Sequence, residues 1–198
     1  MANVFLDLGT HYGQGLNEFM GMYSMDESWI IHTFEANPTT FDIFIKEHHH
    51  RAPWVHPHLE AVSDHDGTIT VNQETPPGEG DTGMGTSTVN MEVWNPWGLA
   101  DPDKDHFKKQ VEVPCINFSK FIQDNFSKDD RIIIKMDIEG SEFDTLEKML
   151  QDGTFEWVDD IYVEWHAKFF RNSDEMAVKE KSLQDRIGPL VNKLENWR

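Results

Sequence analysis

The sequence has little of what would place it in several large classes of protein. Its 198 residues contain one cysteine, Cys115, so an internal disulfide is excluded and a reducing compartment is expected. No apolar run approaches the ~20 residues that a membrane-spanning helix needs, so no membrane association is expected. The N-terminal MANVFLDLG enters an apolar segment at once and lacks the basic stretch of an export signal. These absences together predict a cytoplasmic protein.

Basic residues are also few. The 17 lysines and arginines face 36 aspartates and glutamates, which leaves a formal net charge of −19. A surface of this sign repels phosphate backbones, so we expect no nucleic-acid partner. The hydrophobic fraction of 38%, with 13 phenylalanines and 7 tryptophans, indicates a folded chain instead of a disordered one. At this length we expect one domain over residues 1–198.

The segment 3–15, NVFLDLGTHYGQG, predicts a buried strand that turns on glycines into a helix. Such a turn lets the backbone approach a ligand, and the helix then presents free N–H groups to it. The glycines at 9, 13 and 15 lack the GxGxxG spacing, so the dinucleotide fingerprint is absent. The pattern Asp-x-Gly-x-x-x-Gly instead resembles the first motif of methyltransferases that use S-adenosylmethionine.

Strands and helices alternate along the rest of the chain. Apolar or alternating segments predict strands at 30–35, 54–62, 68–72, 109–116, 132–136 and 161–165. Pro57 interrupts the second of these, so only its later half is predicted to pair. Residues 75–109 predict a long lid or substrate loop, and residues 167–198 a helical tail that Gly188-Pro189 breaks or kinks. The order predicts an α/β fold with a doubly wound, mostly parallel, Rossmann-like sheet and helices on both faces.

Ligands of such sheets bind at the carboxyl ends of the strands. The residues that the pattern places at these ends are Asp7, Gly9, Glu35, Ala61 to Ser63, Asp137, Glu139, Glu164 and His166. Their shared position predicts a single ligand crevice.

Several segments together resemble the FkbM-type methyltransferase family. They are, in order, FLDLGTHYGQG, TFEANP, EAVSDHDGTITV, IIIKMDIEGSEFDTLEKM and IYVEWH, and they span residues 4–166. The resemblance implies a class I methyltransferase fold and transfer of a methyl group from S-adenosylmethionine, usually to a hydroxyl oxygen of a sugar or natural product. Class I members usually end in an antiparallel strand pair, which the predicted helical tail lacks. Three explanations stay open: a shorter sheet, a sheet edge covered in a homodimer, or a truncated chain.

Glu35 and the glycine turn are the main candidates for holding the cofactor. A carboxylate at the end of the second strand can accept hydrogen bonds from both ribose hydroxyls, although a solvated strand-end acid is the structural alternative. Asp7 is predicted to line the methionine end and has a structural alternative, holding loop N–H groups; the two roles are compatible. Ala61 to Ser63 lie where an adenine edge would fall, and an ordinary turn is the alternative for them. The predicted cofactor-binding residues are Asp7, Gly9, Thr10, His11, Tyr12, Gly13, Glu35, Ala36, Asn37, Ala61, Val62, Ser63, Ser87 and Asp137.

The predicted catalytic residues are Asp137, Glu139, Glu164 and His166, which alternate at two strand ends. Three roles compete for them. One residue is a general base for the acceptor hydroxyl, with His166 the natural base near neutral pH. Alternatively, Asp137, Glu164 and His166 bind a divalent metal that lowers the pKa of that hydroxyl. In the third case Asp137 holds the amino group of the cofactor and the others are structural. Lys135, within an apolar strand, needs a carboxylate partner, for which Glu139 and Asp137 are the candidates.

The activity predicted from these residues is O-methylation of a hydroxyl on a glycan or small molecule. A non-catalytic module that binds an adenosyl ligand is one alternative, because it would need Glu35 but not His166. Methylation of a nitrogen or a carboxylate is another.

Overall fold

A computed structural model of the chain describes residues 1–47, 52–73, 87–88 and 109–197, with the backbone alone at 87, 88 and 109. The strands in these ranges are β1 (Asn3–Leu8), β2 (Ile30–Phe34), β3 (Val55–His58), β4 (Ala61–Ser63), β5 (Gly67–Gln73), β6 (Ser87–Thr88), β7 (Lys109–Asn117), β8 (Arg131–Met136), β9 (Asp160–Val163) and β10 (Lys193–Asn196). The α-helices are α1 (Gln14–Met22), α2 (Pro38–Glu47), α3 (Phe118–Asn125), α4 (Glu142–Gln151) and α5 (Ser173–Ile187).

Six strands form the main sheet, in the order β10-β9-β8-β1-β2-β3. Every neighbouring pair in it is parallel. The chain winds outward from β1 to β3, then returns to β8 on the other side of β1 and continues to β10. The predicted α/β class with a mostly parallel, Rossmann-like sheet is therefore confirmed. The switch point, where such sheets bind ligands, lies between β1 and β8.

Helices cover both faces of this sheet. Val4, Leu6 and Leu8 of β1 face a core that α3, α4 and α5 complete. Phe5, between them, belongs to a second core, against which Leu16 and Phe19 of α1 pack. Burying apolar side chains of this size contributes ~1.5–3 kcal/mol each, so the alternating β1 sequence is what holds helices on both sides.

The other four strands form a smaller sheet, in the order β4-β7-β5-β6. β5 runs antiparallel to β7, as the alternation at 68–72 predicts. The prediction for 54–62 was wrong: its first half, β3, pairs with β2, and its second half, β4, pairs with β7. Pro57 is tolerated in β3 because β3 is an edge strand, where a missing N–H costs no ladder bond on the open side.

The prediction of a helical tail was also wrong in its last part. Helix α5 ends at Ile187, so the predicted break at Gly188-Pro189 is confirmed, and these two residues lie in a short 3₁₀ turn. The chain then forms β10, which runs parallel to β9. Leu194 packs against the main core from this strand, so its apolar side chain suits an extended segment as well as a helix. No antiparallel pair extends the six-stranded sheet within the described ranges.

The predicted lid or substrate loop, 75–109, lies largely outside the described residues. Within it, β6 pairs with β5, so at least this part is extended. In the part of the chain that the structure covers, no helix combines the length and apolarity needed to cross a bilayer.

Candidate active site

The glycine turn after β1 brings the ends of β1 and β8 into direct contact. Gly9 has φ +76°, and a Cβ added there would lie 1.8 Å from the backbone oxygen of Asp137. Only glycine fits this crossing, since a side chain would meet backbone that cannot move aside. Gly13, with φ +84°, then turns the chain into α1.

The same turn is bonded to the end of β2. The N–H groups of Gly9 and Thr10 donate to the carbonyl oxygen of Phe34 at 2.9 and 3.0 Å. The N–H of His11 donates to Oε2 of Glu35 at 2.7 Å. The structure therefore places the glycine turn and Glu35 side by side.

Glu35 is a buried carboxylate, 7% exposed. Besides His11, it accepts a hydrogen bond from the N–H of Asn37 at 2.8 Å. Burial raises the pKa of Glu35, and these two N–H donors oppose the rise. The Thr40 hydroxyl is a further hydrogen-bond partner of Glu35. A carboxylate offers about four acceptor positions, so Glu35 retains capacity beyond these contacts.

Other predicted cofactor residues lie around this point with mixed roles. The side-chain oxygen of Asn37 accepts from the N–H of Thr39 at 2.9 Å and from the amide of Gln73, which makes it a helix cap and a link to the smaller sheet. Ala36 packs against the apolar cluster that contains Ala61. The ring of Tyr12 lies 3.8 Å from that of His11, measured between centroids.

The contacts described for Val62, Ser63 and Ser87 do not connect these predicted cofactor-binding residues to the glycine turn or to Glu35. Val62 belongs to the main core, and the hydroxyl of Ser63 lies 3.1 Å from Nδ1 of His65. Ser87 lies in β6, but its side chain is outside the described atoms. For Val62 and Ser63, an adenine contact stays a prediction.

Buried Asp7 and Lys135 and half-buried Asp137 form a chain of charged groups across the switch point. Nζ of Lys135 lies 3.3 Å from Oδ1 of Asp7 and 3.5 Å from Oδ2 of Asp137, and it donates to the carbonyl oxygen of Gly9 at 2.7 Å. Burial alone would lower the pKa of Lys135, but the two carboxylates outweigh it and raise that pKa. Burial raises the pKa of Asp7, which the ammonium opposes. Of the two predicted partners of Lys135, Asp137 is confirmed; Asp7, its neighbour in the β1–β8 register, was missed.

His166, one of the predicted catalytic residues, lies between other members of that set and is 2% exposed. Its Nε2 lies 3.1 Å from Oε2 of Glu139 and 3.8 Å from Oδ1 of Asp137. Glu139 reaches it from a left-handed backbone with φ +52°, a conformation that costs a non-glycine residue roughly 1–2 kcal/mol. Strain of this kind is typical of functional sites.

Sequence reasoning missed Glu142, which is fully buried. Its Oε1 accepts from the backbone N–H of His166 at 3.0 Å and lies 3.1 Å from Nδ1 of the same residue. Its Oε2 accepts from the N–H of Gly140 at 2.8 Å. Ser141, the N-cap residue of α4, makes no side-chain capping bond. Acidic residues are common in the first turn of a helix because of the macrodipole, so the sequence alone does not mark Glu142 as special.

Most of the chain matches the model of one protein family. The Methyltransferase FkbM domain model matches residues 7–187, which is most of the chain. The chain belongs to the FkbM methyltransferase domain family. No curated protein and no solved structure matches it. The family uses S-adenosylmethionine in general, so the acidic strand ends of this FkbM domain can be tested against that cofactor.

The charges at the site suit a cationic ligand. Its carboxylates are those of Asp7, Glu35, Asp137, Glu139, Glu142 and Glu164, and its cationic groups are Lys135 and His166. Burial raises the pKa of Glu164, and the nearby carboxylate of Asp137 adds to the rise. A sulfonium and an ammonium group would be stabilised by this acidic excess. The residues therefore fit S-adenosylmethionine.

The predicted metal site needs one correction. In the FkbM domain, ligand atoms of Asp137, Glu139 and His166 lie within 4.8 Å of one another, so Glu139 takes the place of Glu164. Glu142 on Nδ1 would orient the imidazole, as carboxylates commonly do for metal-bound histidines. A divalent ion would have to displace the proton from Nε2. The three residues fit such an ion on those terms.

His166 does not fit the predicted role of a base near neutral pH. Burial lowers its pKa, but the carboxylates of Glu139 and Glu142 outweigh this and raise it to about 11. The imidazolium therefore persists at neutral pH and stabilises the two glutamates beside it.

This assignment predicts a pH dependence of stability. Unfolded histidine has a pKa of ~6.5, so above that pH the folded state holds a proton that the unfolded state has lost. The stabilisation by His166 is thus complete below that pH and is lost as the pH rises toward about 11. The slope from one such group is at most ~1.4 kcal/mol per pH unit. Urea unfolding from pH 6 to pH 9 should show a steeper fall for the wild type than for His166→Gln, and equal slopes would contradict the assignment.

Proposed function

We propose that this FkbM domain transfers a methyl group from S-adenosylmethionine to a hydroxyl oxygen of a sugar or another small molecule. The observation that carries the proposal is the 2.7 Å hydrogen bond from the N–H of His11 to Glu35, which brings the glycine turn and the acidic strand end to one place. Membership of the family supports the choice of cofactor. When bound, that cofactor supplies a methyl group made electrophilic by its sulfonium.

Different residues near the switch point would bind different parts of the cofactor. Glu35 would accept from the ribose hydroxyls, because it has acceptor positions beyond those used by its two backbone donors. Asp137, whose side chain is 21% exposed, would hold the ammonium end. Asp7 is fully buried against Lys135, so it would not contact the cofactor. Its role would be to hold Lys135 in position.

Glu139 is the proposed base or acceptor-orienting group. Its side chain is 24% exposed, whereas His166 behind it is 2% exposed. Burial raises the pKa of Glu139, which brings a carboxylate closer to the range where a general base works at neutral pH. His166 and Glu142 would position Glu139, and Glu164 would add negative charge beside the acceptor. Proximity and alignment of the acceptor oxygen with the methyl carbon should contribute more than the base does.

Cofactor binding tests the first part of the proposal. We expect calorimetry to show that S-adenosylhomocysteine binds the wild type and that Glu35→Gln weakens binding by roughly 10–100-fold, the worth of a hydrogen bond to a charged group. Asp42→Asn is the matched control, because Asp42 is an exposed carboxylate on α2. Its affinity should equal that of the wild type. Absence of binding to the wild type at near-millimolar ligand would defeat the proposal.

Turnover tests the second part and separates an enzyme from a module that only binds an adenosyl ligand. In a screen of glycan and small-molecule acceptors, Glu139→Gln should lower the rate ~10²–10⁴-fold, the usual contribution of a general base. Its affinity for S-adenosylhomocysteine should be unchanged. A variant as fast as the wild type would rule out the base assignment. Equal rates with and without a chelator would exclude the metal.

A further inference from the structure

Gln73, the last residue of β5, connects the smaller sheet to the end of β2. Its side chain is fully buried, and its Nε2 donates to Oδ1 of Asn37. The backbone N–H of Asn37 donates in turn to Oε1 of Glu35 at 2.8 Å. Asn37 therefore links Gln73 to the carboxylate that is proposed to bind the ribose. Glutamine is mostly exposed in proteins, so its complete burial at this place needs a reason.

The hydrogen bonds of Asn37 fix the orientation of the Gln73 amide. Oδ1 of Asn37 accepts from the backbone N–H of Thr39 at 2.9 Å, so this atom is an oxygen and cannot donate. The group of Gln73 that faces it must therefore be the NH₂, and the other end of the amide is the carbonyl oxygen Oε1. Towards its remaining surroundings, the buried amide thus presents an acceptor.

This acceptor has nothing to accept from. Oε1 of Gln73 is buried and has no hydrogen-bond partner among the residues that the structure describes. Most buried polar side-chain atoms in folded proteins have a partner, because an unpaired buried acceptor loses its bond to water without replacement. A donor carried by a ligand would restore the bond.

The position of Gln73 in its sheet indicates which part of a ligand would carry that donor. Val71 lies two residues before Gln73 on β5, so the two side chains share one face of the smaller sheet. On this face Val71 forms an apolar cluster with Ala61, against which Ala36 packs. Ala61 is where the adenine edge is predicted, and Glu35 is the predicted ribose ligand. Gln73 therefore borders both predicted positions.

The chemistry of purine bases matches a lone acceptor. Adenine carries an exocyclic amino group at C6, which can donate to a carbonyl oxygen. Hypoxanthine carries a carbonyl oxygen at C6, which would place two acceptors opposite each other. A site that is built around one hydrogen bond discriminates strongly against a ligand that leaves the buried polar group unpaired.

We propose that Gln73 recognises the base of the cofactor, with its Oε1 accepting a hydrogen bond from the exocyclic amino group of adenine. This role rests on the proposed function, which supplies the adenosyl ligand. Gln73 is then a residue that determines cofactor specificity, and through Asn37 it also positions Glu35.

Two ligands that differ only in the purine test the proposal by calorimetry on the full-length chain. S-adenosylhomocysteine carries the amino group at C6, and S-inosylhomocysteine carries a carbonyl oxygen there. We expect the wild type to bind the first at least ~10-fold more tightly than the second. In Gln73→Met, which has no amide, the ratio of the two affinities should fall close to one. A general loss of structure would weaken both ligands alike, because they share the ribose and the homocysteine.

Gln110→Met is the matched control. Gln110 also donates through its Nε2 to an asparagine of β5, Asn72, at 2.9 Å. Asn72 precedes Gln73 directly, so this pair lies on the other face of the smaller sheet. The control variant should keep the wild-type ratio of affinities.

A second measurement uses the wild type alone, in case Gln73→Met does not fold. The side-chain carbonyl ¹³C signal of Gln73 should move downfield when S-adenosylhomocysteine binds, because Oε1 gains a donor. It should move less with S-inosylhomocysteine. A carbonyl signal that S-adenosylhomocysteine leaves unchanged would overturn the proposal.

The calorimetry separates failure of this role from failure of the proposed function. A wild type that binds both ligands equally well would reject the role of Gln73 and leave the proposed function standing. The same holds if Gln73→Met retains the wild-type ratio. If the wild type binds neither ligand, the proposed function is rejected and the role of Gln73 with it.

Discussion

Replacing Gly9 with alanine is expected to abolish binding of S-adenosylhomocysteine and to destabilise the fold by more than ~3 kcal/mol. The new Cβ would lie 1.8 Å from the backbone oxygen of Asp137, a distance that no rotamer can relieve. The ends of β1 and β8 would have to separate, and the N–H groups that hold the turn to Phe34 would move with them. Urea unfolding and calorimetry measure the two effects.

Two other glycines separate the effect of the positive φ from the effect of the backbone clash. Gly153 also has a positive φ, +70°, but nothing lies within 4 Å of a Cβ built there, so Gly153→Ala should cost only the backbone strain of ~1–2 kcal/mol. Gly21 has neither constraint and lies within α1, so Gly21→Ala should stabilise by ~0.5–1 kcal/mol. If Gly9→Ala costs no more than Gly153→Ala, the close crossing of β1 and β8 does not exist.

Replacing Lys135 with methionine is expected to destabilise the protein by ~3–5 kcal/mol, the usual cost of breaking a buried ion pair from one side. Asp7, which is fully buried, would lose its counter-ion, and the carbonyl oxygen of Gly9 would lose its donor. Affinity for S-adenosylhomocysteine should fall as well, because the lysine fixes both the glycine turn and Asp137. Urea unfolding and calorimetry are the measurements.

The double variant Asp7→Asn, Lys135→Met shows whether the loss comes from the unpaired charge. It removes both charges, so it should be more stable than Lys135→Met alone. Lys148→Met is the control, because Lys148 pairs with Asp152 on the surface one turn along α4. Its loss should stay within ~0.5 kcal/mol. A Lys135 variant as stable as this control would show that the buried pair contributes nothing.

The sequence predicted which strand ends carry chemistry but not which side chains pair. Asp137, Glu139 and His166 were placed at one rim by their alternation, and the structure confirms that they meet. His166 was expected to be the neutral base, yet it is held as an imidazolium because Glu142 approaches its Nδ1 from α4. Asp7 was expected near the ligand, whereas its carboxylate faces Lys135 on the adjacent strand. Contacts between side chains from different elements set the protonation state of these residues. The spacing of residues within one segment does not reveal such contacts.

Pattern alone determined the alternation of strands and helices, the glycine turn and the acidic residues that end the strands. These depend on near neighbours in the chain: the buried faces of β1, the positive φ of Gly9, the polar residue that follows each apolar run. Tertiary structure decided that residues 54–62 divide between two sheets. It also decided that residues 193–196, predicted as helix, form a strand that pairs with β9. It also decided the charge state of His166. In each of these cases the deciding partner lies far away in the sequence, and a strand or a charged side chain takes the state that its distant partner stabilises.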